Sequence, residues 1–288
     1  MATRTRSFGA GNREGHDATA FYSRELVTAE VSDDATVNVS PVVDRVFPHS
    51  SETMGELVDS SVALMITSPP YHVGKDYDAD TTFPEYLDLL ARVFTETYRV
   101  LEPGGRAVVN VANLGRRPYI PLASHVTQMM IELGYLPRGE VIWRKAEAAS
   151  GSCAWGSWRS AANPTLRDLH EYCLCFSKGR FDRAHRGTST IERDEFLAAT
   201  LSVWDIPPES AKRVGHPAPF PAALPQRFIE LYTYEREVVL DPFLGSGSTA
   251  VAALRSGRHY VGYETSAEYA ALAEARLATE RGQLGSRE

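Results

Sequence analysis

Two short stretches carry residue types that could do chemistry. Ser68-Pro69-Pro70-Tyr71 follows an apolar run at 62–67, so a strand-like segment meets a stiff corner with a hydroxyl at one end and an aromatic ring at the other. The prolines remove two backbone donors, fix the local backbone and push the residues before them to extended geometry. Asp241-Pro242-Phe243-Leu244-Gly245-Ser246-Gly247 follows a second apolar run and precedes a helical pattern at 247–256. Its glycines allow close backbone approach, and the helix start offers N–H groups to a negative charge. The turn has neither the lysine of a phosphate-binding loop nor the third glycine of a dinucleotide fingerprint. Glu264 lies 19 residues after Gly245, at the end of the next strand-like run. An acidic side chain there is placed to hold the hydroxyls of a nucleoside ribose. The competing role for Glu264 is a favourable charge near the start of the following helix.

The elements that must position these residues alternate in type. Strand patterns fall at 42–48, 62–67, 106–112, 139–144, 171–177, 237–241 and 259–263, and helix patterns at 51–59, 83–102, 119–134, 221–234, 247–256 and 266–281. Such alternation implies a parallel sheet with crossover helices on both faces. The helix from Phe83 is the clearest: Thr82-Phe83-Pro84-Glu85 has capping-box spacing, and Tyr86, Leu87, Leu90, Phe94, Tyr98 and Leu101 form an apolar stripe. Pro103-Gly104-Gly105 is expected to end it. No helix obviously fits between 144 and 171, so the strands flanking that gap are expected to pair antiparallel. Residues 179–215 lack strong periodicity and read as a connecting or accessory segment.

Composition is that of a soluble globular protein: 288 residues, 43% hydrophobic and 23% charged, enough for one large domain or two small ones. No apolar run reaches the ~18 residues of a membrane span, and the N-terminus lacks the apolar core of a signal peptide. Three cysteines, Cys153, Cys173 and Cys175, are too few for a disulfide framework or a four-cysteine zinc site, and the histidines show no metal-ligand spacing. No metal is expected, and the expected location is the cytoplasm. The net charge of −7 argues mildly against a protein coated in nucleic acid. Between Arg138 and Arg186, however, nine basic residues outweigh five acidic ones, which suits docking of a polyanion.

Ser-Pro-Pro-Tyr together with Asp-Pro-Phe-x-Gly-Ser-Gly resembles the amino-group DNA methyltransferases that use S-adenosylmethionine. The likeness runs over roughly residues 40–281. The order of the motifs, catalytic corner first and cofactor turn later, resembles the permuted β class of that family. The fold it implies is Rossmann-like α/β, with a mostly parallel seven-stranded sheet and one antiparallel hairpin. Runs 42–48, 259–263, 237–241, 62–67 and 106–112 are then neighbours, flanked by the hairpin 139–177. The implied domains are an N-terminal arm over 1–40, a catalytic domain over 41–281 and a tail over 282–288, with 145–170 and 179–215 as candidate DNA-recognition segments.

The resemblance also implies roles. A base inside a duplex cannot present its amine and must be flipped out. Tyr71 would stack on the extruded base. The Ser68 hydroxyl and the Pro69 carbonyl, held rigid by Pro70, would accept the amine's N–H groups and free its lone pair. Serine at the first position is associated in the family with cytosine N4, so the implied reaction is N4-cytosine methylation of duplex DNA. The alternatives are adenine N6, an RNA or small-molecule substrate on the same cofactor fold, and a non-catalytic relative. Carbon-5 methylation would need a cysteine after proline, and none of the three follows one. The cofactor residues implied are Asp241, Phe243, Gly245, Ser246, Gly247, Ser248, Thr249, Glu264 and Phe220. In the segment 145–168, Lys145, Trp155, Trp158, Arg159 and Arg167 are the expected DNA contacts; the competing reading makes both tryptophans buried anchors. Implied partners are double-stranded DNA, a cognate restriction endonuclease and a second copy of the chain, with no membrane, in a prokaryotic cytoplasm at the nucleoid.

Overall fold

Strand β2 (Val62–Thr67) is apolar but for its last residue and fully buried, as a strand covered on both faces must be. It lies at the centre of the sheet in a computed structural model that describes residues 31–70, 82–115, 118–145, 156–209 and 220–285. In chain order the elements are β1 (Arg45–Phe47), β2, α1 (Phe83–Val100), β3 (Leu101–Val111), α2 (Leu122–Glu132), β4 (Tyr135–Arg144), β5 (His170–Lys178), α3 (Arg193–Ala199), β6 (Val203–Asp205), α4 (Ala223–Tyr232), β7 (Val238–Asp241), α5 (Ser248–Arg255), β8 (His259–Tyr263) and α6 (Ala267–Gly285). The strand order is β1-β8-β7-β2-β3-β5-β4-β6. Among the described strands only β5 runs against the others, pairing antiparallel with β3 and β4. The expected α/β class, neighbour order and hairpin are all present.

This order creates the site. The crossover from β2 goes to β3 on one side, and that from β7 goes to β8 on the other. The crevice between the carboxyl ends of β2 and β7 is therefore a topological switch point, where open α/β sheets bind ligands. The two crossovers also use opposite faces. One core packs α1 and α2, through Leu90, Phe94, Val126 and Met130, against Met65, Val109 and Leu240. The other packs α4, α5 and α6, through Phe228, Val251 and Leu277, against Ile66, Val108 and Val239.

Several expected elements differ. Residues 51–59 form turns, not a helix, although Met54 and Leu57 are buried. Side chains of α1 satisfy this segment's backbone: Met54 N–H donates to Glu96, while Arg99 donates to the Met54 and Leu57 carbonyls. A segment whose polar groups are paired this way does not need helical hydrogen bonds. Helix α1 starts with the expected capping box but ends at Val100, and Pro103-Gly104-Gly105 lies within β3 as an irregularity in its pairing with β2. Strand β4 begins four residues early and absorbs Pro137 and Gly139 at a register shift. Residues 32–40, part of the expected arm, are tied to the body through Ser32 to Gly179 and Asn38 to Ser60. No helix among the described residues is long and apolar enough to cross a membrane.

An eighth strand, β6, and helix α3 occupy the segment 179–215, which lacked periodicity. Each is too short to show a period. They are fixed by Trp204, fully buried against Phe228 with ring centroids 4.4 Å apart, and by the Trp143 indole, which donates to the Ile206 carbonyl at 2.8 Å. Trp204→Ala would leave a large cavity at the sheet edge. It is expected to cost about 3–5 kcal/mol, readable as a lowered midpoint in urea unfolding; an unchanged midpoint would show that this edge is not part of the cooperative fold.

Candidate active site at the carboxyl ends of the strands

Thr67, the last residue of β2, donates its hydroxyl to Asp241 Oδ1 at 2.6 Å, joining the ends of two adjacent parallel strands. Asp241 is 1% exposed, and Oδ1 also accepts the Phe243 N–H at 3.1 Å. Burial pushes its carboxyl up to about 6, against the pull of the Thr249 and Thr67 hydroxyls and the Phe243 amide. Oδ2 of Asp241 and the buried Ser248 Oγ have no hydrogen-bond partner among the described residues. Two orphaned polar atoms, both buried and both flanking the same turn, suit a polar ligand in the crevice.

The glycine turn follows. Gly245 has φ 52° and Gly247 φ 83°, both in the left-handed region that glycine enters without strain. Gly247 is the N-cap of α5, and a Cβ there would come within 3.0 Å of the Ala273 Cβ on α6. Ser246 is held through its carbonyl and hydroxyl by Arg276, and Thr249 is buried. Glu264 closes the turn from the end of β8: it accepts the Gly245 N–H and the Ser266 N–H, each at 2.8 Å. Phe243 packs partly buried on the α1 face, and Phe220 is buried in the opposite core just before α4. The expected cofactor residues Asp241, Phe243, Gly245 to Thr249 and Glu264 are thus gathered around one turn, and Phe220 is buried just before α4.

Ser68, Pro69 and Pro70 leave the end of β2 beside that turn; Tyr71 lies outside the described residues. The Ser68 hydroxyl accepts from Asn110 Nδ2 at 3.3 Å. Asn110 Nδ2 also donates to Glu171 Oε2 at 2.6 Å, and Glu171 Oε1 pairs with Lys145. Asn110 and Glu171 are both buried. Sequence reasoning assigned neither residue, because Asn110 sits mid-strand and Glu171 is 61 residues away, with only the β3–β5 pairing bringing them together. A polar residue inside an otherwise apolar strand was the available signal.

The expected DNA contacts fall into two places. Lys145 turns inward to Glu171, with its ammonium 5.1 Å from the Trp143 ring. Trp158, Arg159 and Arg167 are exposed on the connection to β5, whereas Trp155 lies outside the described residues. Trp158 is 64% exposed, so it is no buried anchor. It stands on a knuckle closed by backbone and side-chain bonds: Ser157 N–H to Asn163 O at 2.9 Å, and Asn163 N–H to Ser157 Oγ at 2.8 Å. Gly156 must be glycine there, since a Cβ would strike the Asn163 carbonyl, and Arg159 itself has φ 51°.

Comparisons with known proteins agree with this geometry. A family described as DNA methylase matches residues 62–275. The type II methyltransferase M.BglI of Bacillus subtilis is 27% identical, over 77% of this chain and 81% of its own. M.MthZI of Methanothermobacter thermautotrophicus is 28% identical, over 81% and 76%. A candidate DNA modification methylase of Thermus thermophilus, solved with S-adenosyl-L-methionine, is 30% identical with TM-score 0.65, covering 82% of this chain and 93% of that one. The PvuII cytosine-N4-specific DNA methyltransferase shares the fold at 22% identity and TM-score 0.64, over 80% and 84%.

Asp241 gives a pH test. Its carboxyl holds its proton more tightly in the fold than in the unfolded chain, so its contribution to stability is present below about pH 4 and lost as pH rises through about 6. Asp241→Asn removes a buried charge and should gain up to ~3 kcal/mol relative to the parent at about pH 8, with the gain vanishing near pH 4. Thermal midpoints across this range that differ by a constant amount would refute it.

Proposed function

The chain belongs to the N6/N4 DNA methylase family, and on that premise we propose that it is a permuted β-class enzyme that methylates cytosine N4 in duplex DNA at a specific sequence. The observation that carries the reading is the adjacency of the Ser68 corner and the glycine turn, tied by the Thr67–Asp241 hydrogen bond across neighbouring strands. The corner precedes the turn in the chain, which is the order of that class.

S-adenosyl-L-methionine is the cofactor, and its sulfonium supplies an activated methyl group. The residues present fit it. The buried Asp241 carboxylate is a counter-charge for a cationic ligand, the left-handed glycines leave room for close approach, and Glu264 faces the turn as a ribose acceptor. Phe243 and Ser246 to Thr249 line the same turn. At the corner, Ser68 Oγ and the Pro69 carbonyl accept the N–H groups of the target amine. That draws the nitrogen out of conjugation with its ring and points its lone pair at the methyl group. Tyr71 stacks on the flipped base, and Pro70 keeps the Pro69 carbonyl out of the sheet. The exposed Trp158, Arg159 and Arg167 face the duplex. A matching restriction endonuclease and a homodimer are compatible partners.

Ser68→Ala is expected to slow methyl transfer in single turnover by about 10–100-fold or more, with cofactor affinity unchanged. A parental rate would remove Ser68 from the chemistry. Nucleoside analysis of the product separates the bases: N4-methylcytosine supports the proposal, and N6-methyladenine replaces it with the other reaction of the family. Glu264→Ala should weaken S-adenosylmethionine binding by ~1.5–3 kcal/mol while leaving DNA affinity alone; an unchanged cofactor dissociation constant would remove the ribose role. Arg159→Ala and Arg167→Ala should keep thermal stability but weaken DNA binding, each phosphate contact lowering the salt slope by about one. Binding and methylation equal to the parent at raised salt would move recognition elsewhere.

A further inference from the structure

A largely buried polar chain ends at the Ser68 hydroxyl. Lys145, one residue beyond β4, pairs with Glu171 on β5; Glu171 accepts from Asn110 on β3; and Asn110 donates to Ser68 at the end of β2. Glu171 is 7% exposed and Asn110 2%. An ionised carboxylate only accepts hydrogen bonds, so Glu171 dictates which end of the Asn110 carboxamide faces it. The NH2 end must point to Glu171 at 2.6 Å, and its second N–H then points at Ser68 Oγ. The other end is fixed as well, because the Cys173 thiol donates to Asn110 Oδ1 at 3.4 Å. A counter-charge offsets part of the cost of burying a carboxylate, and Lys145 supplies it.

Resting on the role proposed for Ser68, we infer that Lys145 and Glu171 are positioning residues for methyl transfer: their ion pair sets the Asn110 amide, and the amide sets the Ser68 hydroxyl. With one lone pair of Ser68 Oγ committed to Asn110, the hydroxyl has fewer orientations left before the base arrives. That is preorganisation of an acceptor. Lys145 thus acts through Glu171 and not on a DNA phosphate, unlike the exposed arginines of the same region.

Single-turnover transfer at saturating DNA and S-adenosylmethionine tests this by coupling between variants. Lys145→Met should slow transfer by about tenfold or more, with the DNA dissociation constant and its salt slope unchanged. Lys145→Met combined with Glu171→Gln removes both charges but keeps an acceptor for Asn110, and should recover most of that loss. On a Ser68→Ala background, Lys145→Met should cost nothing further. A salt slope lowered by about one with an intact saturated rate would make Lys145 a phosphate contact and overturn the inference. So would a double variant no faster than Lys145→Met, or additive losses with Ser68→Ala. If Lys145→Met does not fold, Asn110→Ala carries the same test: it should slow transfer in the parent and be silent on Ser68→Ala, and additivity there overturns the inference. Ser68→Ala with a parental rate would sink the proposed role of Ser68 itself; a slow Ser68→Ala beside an unaffected Lys145→Met or Asn110→Ala sinks only the chain behind it.

Discussion

The hydrogen bond from Thr67 to Asp241 is the contact on which the site depends. It spans 174 residues of sequence and joins the last residues of two strands whose crossovers leave in opposite directions. Both consequences of those strand ends, the rigid serine-proline corner and the glycine turn, start within two residues of it. A bond between a hydroxyl and a buried carboxylate is stronger than one between neutral groups. Its geometry ties together the two strand ends from which the corner and the turn leave.

The site stores charge in three different ways. Asp241 is buried with only neutral donors around it, and burial raises its carboxyl to about 6. Glu171 is also buried but has a lysine counter-ion. Glu264 is half-buried and takes two backbone N–H groups from the turn it closes. These differences match the three tasks proposed for them. A counter-charge for a cationic cofactor gains from having no resident cation. An orienting carboxylate gains from a resident cation that holds it in place. A ribose acceptor needs oxygen lone pairs that the backbone alone does not exhaust.

The region proposed to face DNA is built on a different principle. The knuckle around Trp158 owes little to burial; short hydrogen bonds and one obligatory glycine hold it while its large side chains stay in water. Behind it, Trp143 and Trp204 are buried and anchor β4 and β6 to the sheet. Tryptophans in one region of the chain thus take opposite placements, and their neighbours decide which. Ser157, Asn163 and Gly156 form a tight turn that lifts Trp158 outward, whereas apolar alternation carries Trp143 inward.

The sequence by itself determined the class of sheet, the order of its strands through the family likeness, the serine-proline corner and the glycine turn. Apart from the strand order, each of these is local: the period of an apolar run, a proline pair, or glycines before a helix. The residues that complete the site are not local. Nothing near Asn110 or Glu171 in the chain marks them as partners; the parallel β2–β3 pairing sets Asn110 beside Ser68, and the antiparallel β3–β5 pairing sets Glu171 beside Asn110. Lys145 reads in sequence as one more cation of a basic region, and the fold turns it inward to a buried carboxylate. Residues 51–59 have a helical pattern that the Arg99 and Glu96 side chains make unnecessary, while β6 and α3 exist because Trp204 has a core to enter. Periodicity reports how a segment meets its own neighbours along the chain. Where a polar group finds its partner, or an indole its cavity, is decided by surfaces that exist only once distant strands have paired.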